Sequence, residues 1–156
     1  MSNAVDSIIN KETRISIVIN MVLSTAFFFL VFGLSPKVLA IAEPDHLALD
    51  FILQSLAIGF FSALVPALIM SGKRRKGQIE GVDSNAVPFK TNLLRAVGCA
   101  LAAGMAGLAV MFALPTVTAA MGYFPALAVK VIYGGALASL VTPRALRMAL
   151  TTEKIQ

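Results

Sequence analysis

The chain has 156 residues, of which 58% are hydrophobic and only 13% are charged. Soluble domains carry roughly 25% charged residues, so this composition favours an integral membrane protein. The net charge of +5 would also suit a nucleic-acid-binding protein, but the placement of the charges indicates membrane topology and no nucleic-acid partner. Cys99 is the only cysteine, which excludes an intrachain disulfide and a thiolate metal cluster.

Four apolar segments are long enough to span a bilayer, which requires about 20 residues. They cover about 15–35, 50–71, 94–114 and 124–143. We expect Pro115 to end the third helix and Pro143 the fourth, because proline interrupts helical hydrogen bonding. Pro125 suits the first turn of the fourth helix. The sequence therefore predicts a single all-α domain over residues 1–156, an integral membrane four-helix bundle.

The basic residues are distributed asymmetrically about these segments. Lys37 lies between the first two segments and Lys130 lies within the fourth. The other eleven of the thirteen flank the opposite ends: Lys11, Arg14, Lys73, Arg74, Arg75, Lys76, Lys90, Arg95, Arg144, Arg147 and Lys154. Lys and Arg concentrate in cytoplasmic loops, so we expect the cell inner membrane, with both termini and the loop 72–93 in the cytoplasm.

The end of the first apolar segment also matches part of a signal-peptide pattern. Ala40–Ala42 has the small-x-small arrangement of a cleavage site. The preceding apolar run is longer than the roughly 7–15 residues typical of a signal peptide. We therefore expect this helix to stay uncleaved.

The two halves of the chain share a pattern. "VFGLSP" resembles "MFALP" at the ends of the first and third segments, with an offset of 80 between Phe32 and Phe112. Pro66 and Pro143 are related by an offset of 77, so a small insertion or deletion is required. The alternative is that any two membrane hairpins look alike. A true repeat would make the halves parallel, related by a pseudo-twofold axis along the membrane normal, unlike an inverted repeat.

The first half also resembles a known family. The first segment, "INMVLSTAFFFLVFGL", the second, "AIGFFSALVP", and the basic run that follows it resemble the domain of unknown function 2798 family. The resemblance covers roughly 60 residues and implies a short bacterial membrane protein. It implies no known chemistry.

Lys130 is the most informative single residue, because an ionisable side chain within a membrane segment is a functional candidate. It lies roughly 9 Å along its helix, so its stem could instead snorkel to the surface. The offset of 80 places Asp50 at the equivalent position, and Gln54 is one turn from Asp50 on the same face. We predict a polar site of Asp50, Gln54 and Lys130; the alternative is an ion pair that only fixes helix packing.

Two further groups of residues are candidates for helix contacts. Asn20, Ser24 and Thr25 form a polar strip in the first segment, which either hydrogen-bonds a neighbouring helix or lines a path. Small residues in the third segment allow close backbone approach, so this helix is expected to be the central packing helix or an oligomer interface. Its two ridges are Ala96, Ala100 and Gly104, and Cys99, Ala103 and Gly107. We expect Cys99 to be a buried small residue and not a reactive thiol.

Other residues carry weaker predictions. Pro66, Gly134 and Gly135 are hinge candidates, because proline and glycine permit helix bends. Asp45 is expected to cap the second helix, with a divalent cation held by His46 and nearby carboxylates as the weaker alternative. The basic cluster Lys73, Arg74, Arg75 and Lys76 is explained by topology, with attraction to anionic lipid headgroups as the alternative.

The sequence contains no Gly-rich phosphate loop, no nucleophile with a matching base and no metal-ligand spacing. We therefore predict that the protein is not an enzyme and has no cofactor. The function that we favour is packing and interaction within the lipid bilayer, as a homo-oligomer or with a membrane-protein partner. The alternative is a small solute or ion transporter or channel subunit. A transporter needs a solvated cavity that reaches the middle of the membrane, alone or at an oligomer axis. A packing protein needs a dry core and a small-residue interface on the third helix.

Overall fold

The computed structural model describes residues 3–78 and 87–150, and the following statements concern those residues. They form four helices, α1 (Asn3–Phe32), α2 (Leu47–Arg75), α3 (Phe89–Val117) and α4 (Tyr123–Leu150), and two short strands, β1 (Val38–Ala40) and β2 (Ala120–Gly122). Each helix is long and apolar enough to cross a membrane. The prediction of an all-α four-helix bundle is confirmed.

The helices are longer than the apolar segments. They have 28 to 30 residues, which corresponds to about 42–45 Å, whereas the hydrocarbon core is about 30 Å thick. Polar residues continue each helix, because a helix satisfies its own backbone in water as well as in lipid. The helices also continue past Pro115 and Pro143, contrary to prediction. Pro143 lacks the amide hydrogen that would bond within α4. Close to it, Arg144 Nη1 donates to the carbonyl oxygen of Leu140 at 2.7 Å.

The helices do not pack as two simple hairpins. α2 packs most extensively against α3, α1 packs against α4, and α2 and α4 pack against each other, whereas α1 and α2 touch at few points. The order across the bundle is therefore α1, α4, α2, α3. α2 and α4 are the central helices, and each outer helix packs mainly on one of them.

α3 is not the central packing helix, which was the first of the two roles predicted for it; the second role, an oligomer interface, stays a prediction. Its buried residues form one face, namely Asn92, Ala96, Ala100, Ala103, Gly104 and Gly107. This face packs on α2, where a Cβ at Gly59 would lie 2.6 Å from the Ala103 Cβ and a Cβ at Gly107 would lie 2.7 Å from Ser55 Oγ. The small residues thus serve contact within the chain. Cys99 packs at the edge of this contact and is half-buried, not fully buried as expected.

The two loops at one end of the bundle pair as an antiparallel ribbon. β1 and β2 are in register with Leu39 opposite Met121, and we call this the ribbon end. The opposite end carries most of the described Lys and Arg residues, and we call it the basic end. At the ribbon end, an apolar cluster packs Leu39 and Ile41 against Phe28, Phe51 and the aromatic ring of Tyr123. The ribbon therefore closes this end of the bundle.

The burial pattern has the symmetry that a repeat would produce. Ser16, Asn20 and Ser24 of α1 are buried, as are Ala96, Ala100 and Gly104 at an offset of 80 in α3. The buried faces of α2 and α4 coincide at an offset of 75, which relates Ser55 to Lys130 and Gly59 to Gly134. The offset is smaller for α2 and α4 than for α1 and α3 because the two loops differ in length. Residues 41–46 separate β1 from α2, whereas α4 follows β2 directly. The inferred equivalence of Asp50 and Lys130 was therefore wrong.

Candidate functional site: a buried ion pair at the floor of an interhelical crevice

Asp50 and Lys130 nevertheless form a direct ion pair between α2 and α4. Lys130 Nζ contacts Asp50 Oδ2, and the exposed fractions of the two side chains are 2% for Lys130 and 14% for Asp50. Lys130 lies two turns from the start of α4, and Asp50 lies in the first turn of α2. Both residues are therefore close to the ribbon end. The lysine does not snorkel to the surface, because its ammonium group finds a carboxylate on the adjacent helix.

Aromatic rings surround the ammonium group. The Nζ atom lies 5.5 Å from the ring centroid of Phe32, 5.9 Å from that of Phe51 and 6.0 Å from that of Phe28. Rings at this distance attract a cation through their quadrupole, and they also exclude water. The sequence did not single out these phenylalanines, because aromatic residues in an apolar segment are as common on a lipid-facing surface as in a core.

Gln54 connects the ion pair to α1. Its Nε2 atom donates to Ser24 Oγ at 2.8 Å and to the carbonyl oxygen of Lys130 at 3.0 Å. Its Oε1 atom is buried and has no hydrogen-bond partner among the described residues. The structure therefore brings together all three residues of the predicted site, and it leaves one buried acceptor without a donor.

A line of hydrogen bonds continues from Ser24 along the buried face of α1. Asn20 Nδ2 donates to Ser62 Oγ of α2 at 2.9 Å, and Thr142 Oγ1 of α4 donates to Ser16 Oγ at 2.7 Å. Ser16, Asn20 and Ser24 are spaced at four residues, so they share one helical face. Thr25 lies outside this line, since its hydroxyl donates to the Met21 carbonyl oxygen of its own helix. Sequence reasoning missed Ser16, Ser62 and Thr142, which lie in separate segments.

A crevice of about 550 Å³ opens between α1 and α2, where these helices make few contacts. Its polar residues are Asn20, Ser24, Asp50, Gln54 and Lys130. Its apolar residues are Leu23, Phe27, Val31, Leu53, Ala57, Ile58 and Phe61. From Asn20 to Val31 the lining spans twelve residues of α1, or about 17 Å. Asn20 lies about 18 Å from the end of α1, so the crevice reaches the middle of the bundle.

The comparisons with known proteins give no guidance on this site. No family model matches the chain, and the searches of curated proteins and of solved structures found no match. The resemblance to the domain of unknown function 2798 family therefore stays a prediction. The site has to be interpreted from its own geometry.

The predicted hinge residues lie in regular helix. Gly134 and Gly135 are buried within α4, where α1 approaches closely. A Cβ at Gly135 would lie 3.1 Å from Met21 Cγ, and one at Gly134 would meet Ser24 Oγ and lie 3.0 Å from Gln54 Nε2. Gly134 therefore leaves room for the Gln54–Ser24 hydrogen bond, and Gly135 leaves room for Met21. Pro66 is buried within α2, which continues through it.

The basic cluster in the last turn of α2 and at its C-cap, Lys76, does not form a single cationic surface. Arg74 is buried, and its Nη1 donates to the carbonyl oxygen of Ala149 at 2.5 Å, near the end of α4. Lys73 lies 3.4 Å from Glu12 of α1. Arg75 and Lys76 are exposed. Arg95 likewise donates to Met148 at 2.7 Å, so two guanidinium groups satisfy carbonyls at the end of a helix, where cations are favourable.

The loop before α2 is fixed by Asp45, but not as a helix cap. Asp45 accepts hydrogen bonds from Lys37 Nζ at 2.6 Å and from the Ala40 amide at 2.9 Å. The hydrogen bond from Lys37 and then that from Ala40 hold the pKa of Asp45 below its ordinary value. His46 occupies the cap position with φ 53°, and it makes no side-chain cap hydrogen bond. Within residues 3–78 and 87–150, no three or more His, Cys, Asp and Glu residues are grouped as metal ligands.

Proposed function

We propose that the protein is a small multi-pass membrane protein that binds a small molecule at Asp50, Gln54 and Lys130, as the first step in moving it across the membrane. The observation that carries this proposal is the crevice, which runs from the ion pair to the middle of the bundle. A cavity that reaches the middle of the bundle is one of the features that transport requires, and five polar residues line this one. Its volume of about 550 Å³ lies in the range of about 300–1,000 Å³ typical of ligand sites.

The role in packing and oligomer formation, which the sequence favoured, loses one of its supports. The small residues of α3 contact α2 of the same chain, so they do not offer a free surface to a second copy. Homo-oligomers, membrane-protein partners and anionic lipid headgroups stay predictions. The proposed location is the inner membrane with both termini in the cytoplasm, which would place the site near the outer leaflet. This orientation is supported by the sequence, in which eleven of the thirteen Lys and Arg residues flank the same ends of the apolar segments.

The proposal is tested by ligand-dependent stabilisation of the purified protein. The loss of helical circular dichroism on heating can report unfolding, because four long helices make up most of the described residues. The panel should contain water-soluble solutes, inorganic ions and membrane-soluble amphiphiles. A ligand that binds only the native state stabilises it by about 2.7 kcal/mol at a concentration of 100 Kd. We expect at least one class to raise the Tm of the wild type and to move across vesicles that contain the protein.

Site variants must remove this stabilisation. We expect Asp50→Asn, Lys130→Met and Gln54→Leu to abolish most of the Tm shift, and at least one of them to retain a cooperative transition. The matched controls are Lys37→Met and Asp45→Asn, which break the Lys37–Asp45 pair of the ribbon end, outside the crevice, and should keep the shift. A wild type that no class stabilises, or site variants that are stabilised as much as the wild type, would overturn the proposal.

A further inference from the structure

The loop between α1 and α2 is bounded by two residues with left-handed backbone. Gly33, directly after α1, has φ 79°, and His46, directly before α2, has φ 53°. We call residues 33–46 the strap. Glycine adopts this conformation without a steric penalty, whereas a residue with a Cβ is strained by it. Strain of this kind persists only where the surrounding structure maintains it, and it is concentrated at functional sites and switch regions.

The strap covers the buried ion pair. Its side chains Leu39 and Ile41 are 0% and 1% exposed. They belong to the same apolar cluster as the three phenylalanine rings around the Lys130 ammonium group. Asp50 and Lys130 lie near the starts of α2 and α4, at the end of the bundle that the strap crosses. The strap therefore separates the ion pair from the water beyond the ribbon end.

Polar contacts within the strap brace it. Asp45 accepts hydrogen bonds from Lys37 Nζ and from the Ala40 amide, and the His46 amide donates to the carbonyl oxygen of Ala42 at 2.6 Å. All five residues belong to the strap. A segment that satisfies its polar groups internally keeps these bonds when it is displaced, so the strap can move as a unit.

The strap is joined to the second loop over a short distance. β1 and β2 pair over three residues each, and the Ile41 amide donates to the Ala119 carbonyl oxygen at 3.0 Å. A two-stranded ribbon is only marginally stable by itself. Segments held by few contacts open at a lower free energy than the core helices do. Opening of the strap is therefore expected to precede unfolding of the bundle.

We propose that the strap is a lid, which opens about Gly33 and His46 and exposes the Asp50–Lys130 pair to water at the ribbon end. The inference rests on the proposed function, to which it adds a controlled route to the same site. With the strap closed, apolar side chains cover the pair on this side. A solute that arrives from the ribbon end reaches the pair only after these side chains have left the cluster.

The experiment measures how fast a buried cysteine is labelled in lipid nanodiscs by a charged thiol reagent that does not enter the bilayer. Cys99→Ala removes the native thiol, and Ala126→Cys places a reporter in the cluster beneath the strap. Ala48→Cys, in the same cluster, replaces it if that variant does not fold. Ala96→Cys is the control, since Ala96 is also buried but lies toward the basic end. We expect labelling at residue 126 to be about tenfold faster than at residue 96, because the strap opens locally.

A disulfide across the ribbon tests whether the strap controls this labelling. Ala40 and Ala120 are opposite each other in the ribbon, so Ala40→Cys with Ala120→Cys ties the strap to β2. The matched control is Ser71→Cys with Asn92→Cys, which joins α2 to α3 at the basic end. We expect the ribbon disulfide to slow labelling at residue 126 by about tenfold, because it blocks local opening, and the control disulfide to leave the rate unchanged. Mass spectrometry of the labelled peptides verifies which thiol carries the reagent.

The two hinge residues supply a second test, with effects of opposite sign. His46→Gly removes the strain of the closed strap. Gly33→Ala adds strain at φ 79°, although its Cβ would meet no atom within 4 Å. We expect His46→Gly to slow the labelling and Gly33→Ala to accelerate it, each by about fivefold or more. Effects of the same sign would overturn the assignment of these residues as hinges.

The outcomes separate the lid from the proposed function, because labelling requires no ligand. Equal rates at residues 126 and 96, no labelling at residue 126, or a rate that the ribbon disulfide does not change would each overturn the lid. If a solute stabilises the wild type and not Asp50→Asn in that case, the proposed function stands without it. If the labelling depends on the strap but no solute class stabilises the protein, the strap opens as inferred and the proposed function fails.

Discussion

At the scale of single residues, the central feature is the buried ion pair between Lys130 and Asp50. Taking two charges out of water is costly, and their mutual attraction offsets this only when the geometry is close. Three phenylalanine rings cover the Lys130 ammonium group. Among the described residues, Asp50 is the carboxylate that compensates its charge. Removal of either partner therefore leaves the other charge without a partner.

A double-mutant cycle measures this dependence. We expect Lys130→Met and Asp50→Asn each to lower the free energy of unfolding by about 3–5 kcal/mol, because each leaves the other charge buried and unpaired. The double variant should lose much less than the two single losses together. Additive losses would show that the two side chains do not interact in the folded protein. The measurement is equilibrium unfolding in mixed detergent micelles.

The sequence identified these two residues for a reason that the structure does not support. The offset of 80 equated Asp50 with Lys130, whereas the buried faces of α2 and α4 equate Lys130 with Ser55. What the sequence could show was that a charge within an apolar segment needs a partner, and that few partners exist. It could not show Phe28, Phe32 and Phe51, because core-facing and lipid-facing positions are equally apolar in a membrane helix.

At the scale of helices, close packing is concentrated at glycines. Gly59 of α2 faces the backbone of α3, where its absent Cβ would lie 2.8 Å from the Ala100 Cα. Without a hydrophobic driving force between helices in lipid, such small residues permit the close van der Waals contact that holds them together. Gly134 has the corresponding role between α4 and α1. Helix spans could be predicted from hydropathy, but the helix faces could not.

Gly59→Ala and Gly98→Ala form a matched pair for this contact. A Cβ at Gly98 meets no atom within 4 Å, whereas one at Gly59 forces backbones apart. We expect Gly59→Ala to destabilise the protein by about 1–3 kcal/mol, the usual cost of overpacking. Gly98→Ala should be neutral or stabilising by up to about 1 kcal/mol, because alanine favours helix. Equal effects on the Tm of the two variants would contradict the α2–α3 contact described above.

At the scale of the whole molecule, the two hairpins exchange helix partners. Each outer helix packs on the inner helix of the other hairpin, and the ribbon joins the loops of both hairpins. This arrangement leaves α1 and α2 apart, and the crevice is the result. The sequence predicted four spans but not their neighbours, because adjacency depends on side-chain contacts between distant segments such as Ser16 and Thr142.

Engineered disulfides test this arrangement in the membrane. In a Cys99→Ala background, we expect Ser16→Cys with Thr142→Cys to cross-link α1 to α4, because the native hydroxyl oxygens lie 2.7 Å apart. Asn92→Cys with Ser71→Cys should link α3 to α2, since the native side-chain atoms lie 3.0 Å apart. The mixed pair Ser16→Cys with Asn92→Cys should stay reduced. A cross-link that forms only with the mixed pair would refute the helix order. Gel mobility before and after reduction reports the result.

Because each outer helix packs on a helix of the other hairpin, the first hairpin cannot form its final contacts until the second hairpin has been synthesised. Lys130 follows Asp50 by 80 residues, so at roughly 5–20 residues per second the ribosome adds it about 4–16 s later. During that interval the nascent first hairpin carries an acidic residue without its cation, and α1 lacks the helix on which it will pack. Asp50 lies only one turn from the start of α2, near the polar boundary where a lone carboxylate is tolerated. We therefore expect the contacts of α1 and Asp50 with α4 to form only after α4 has left the translocon.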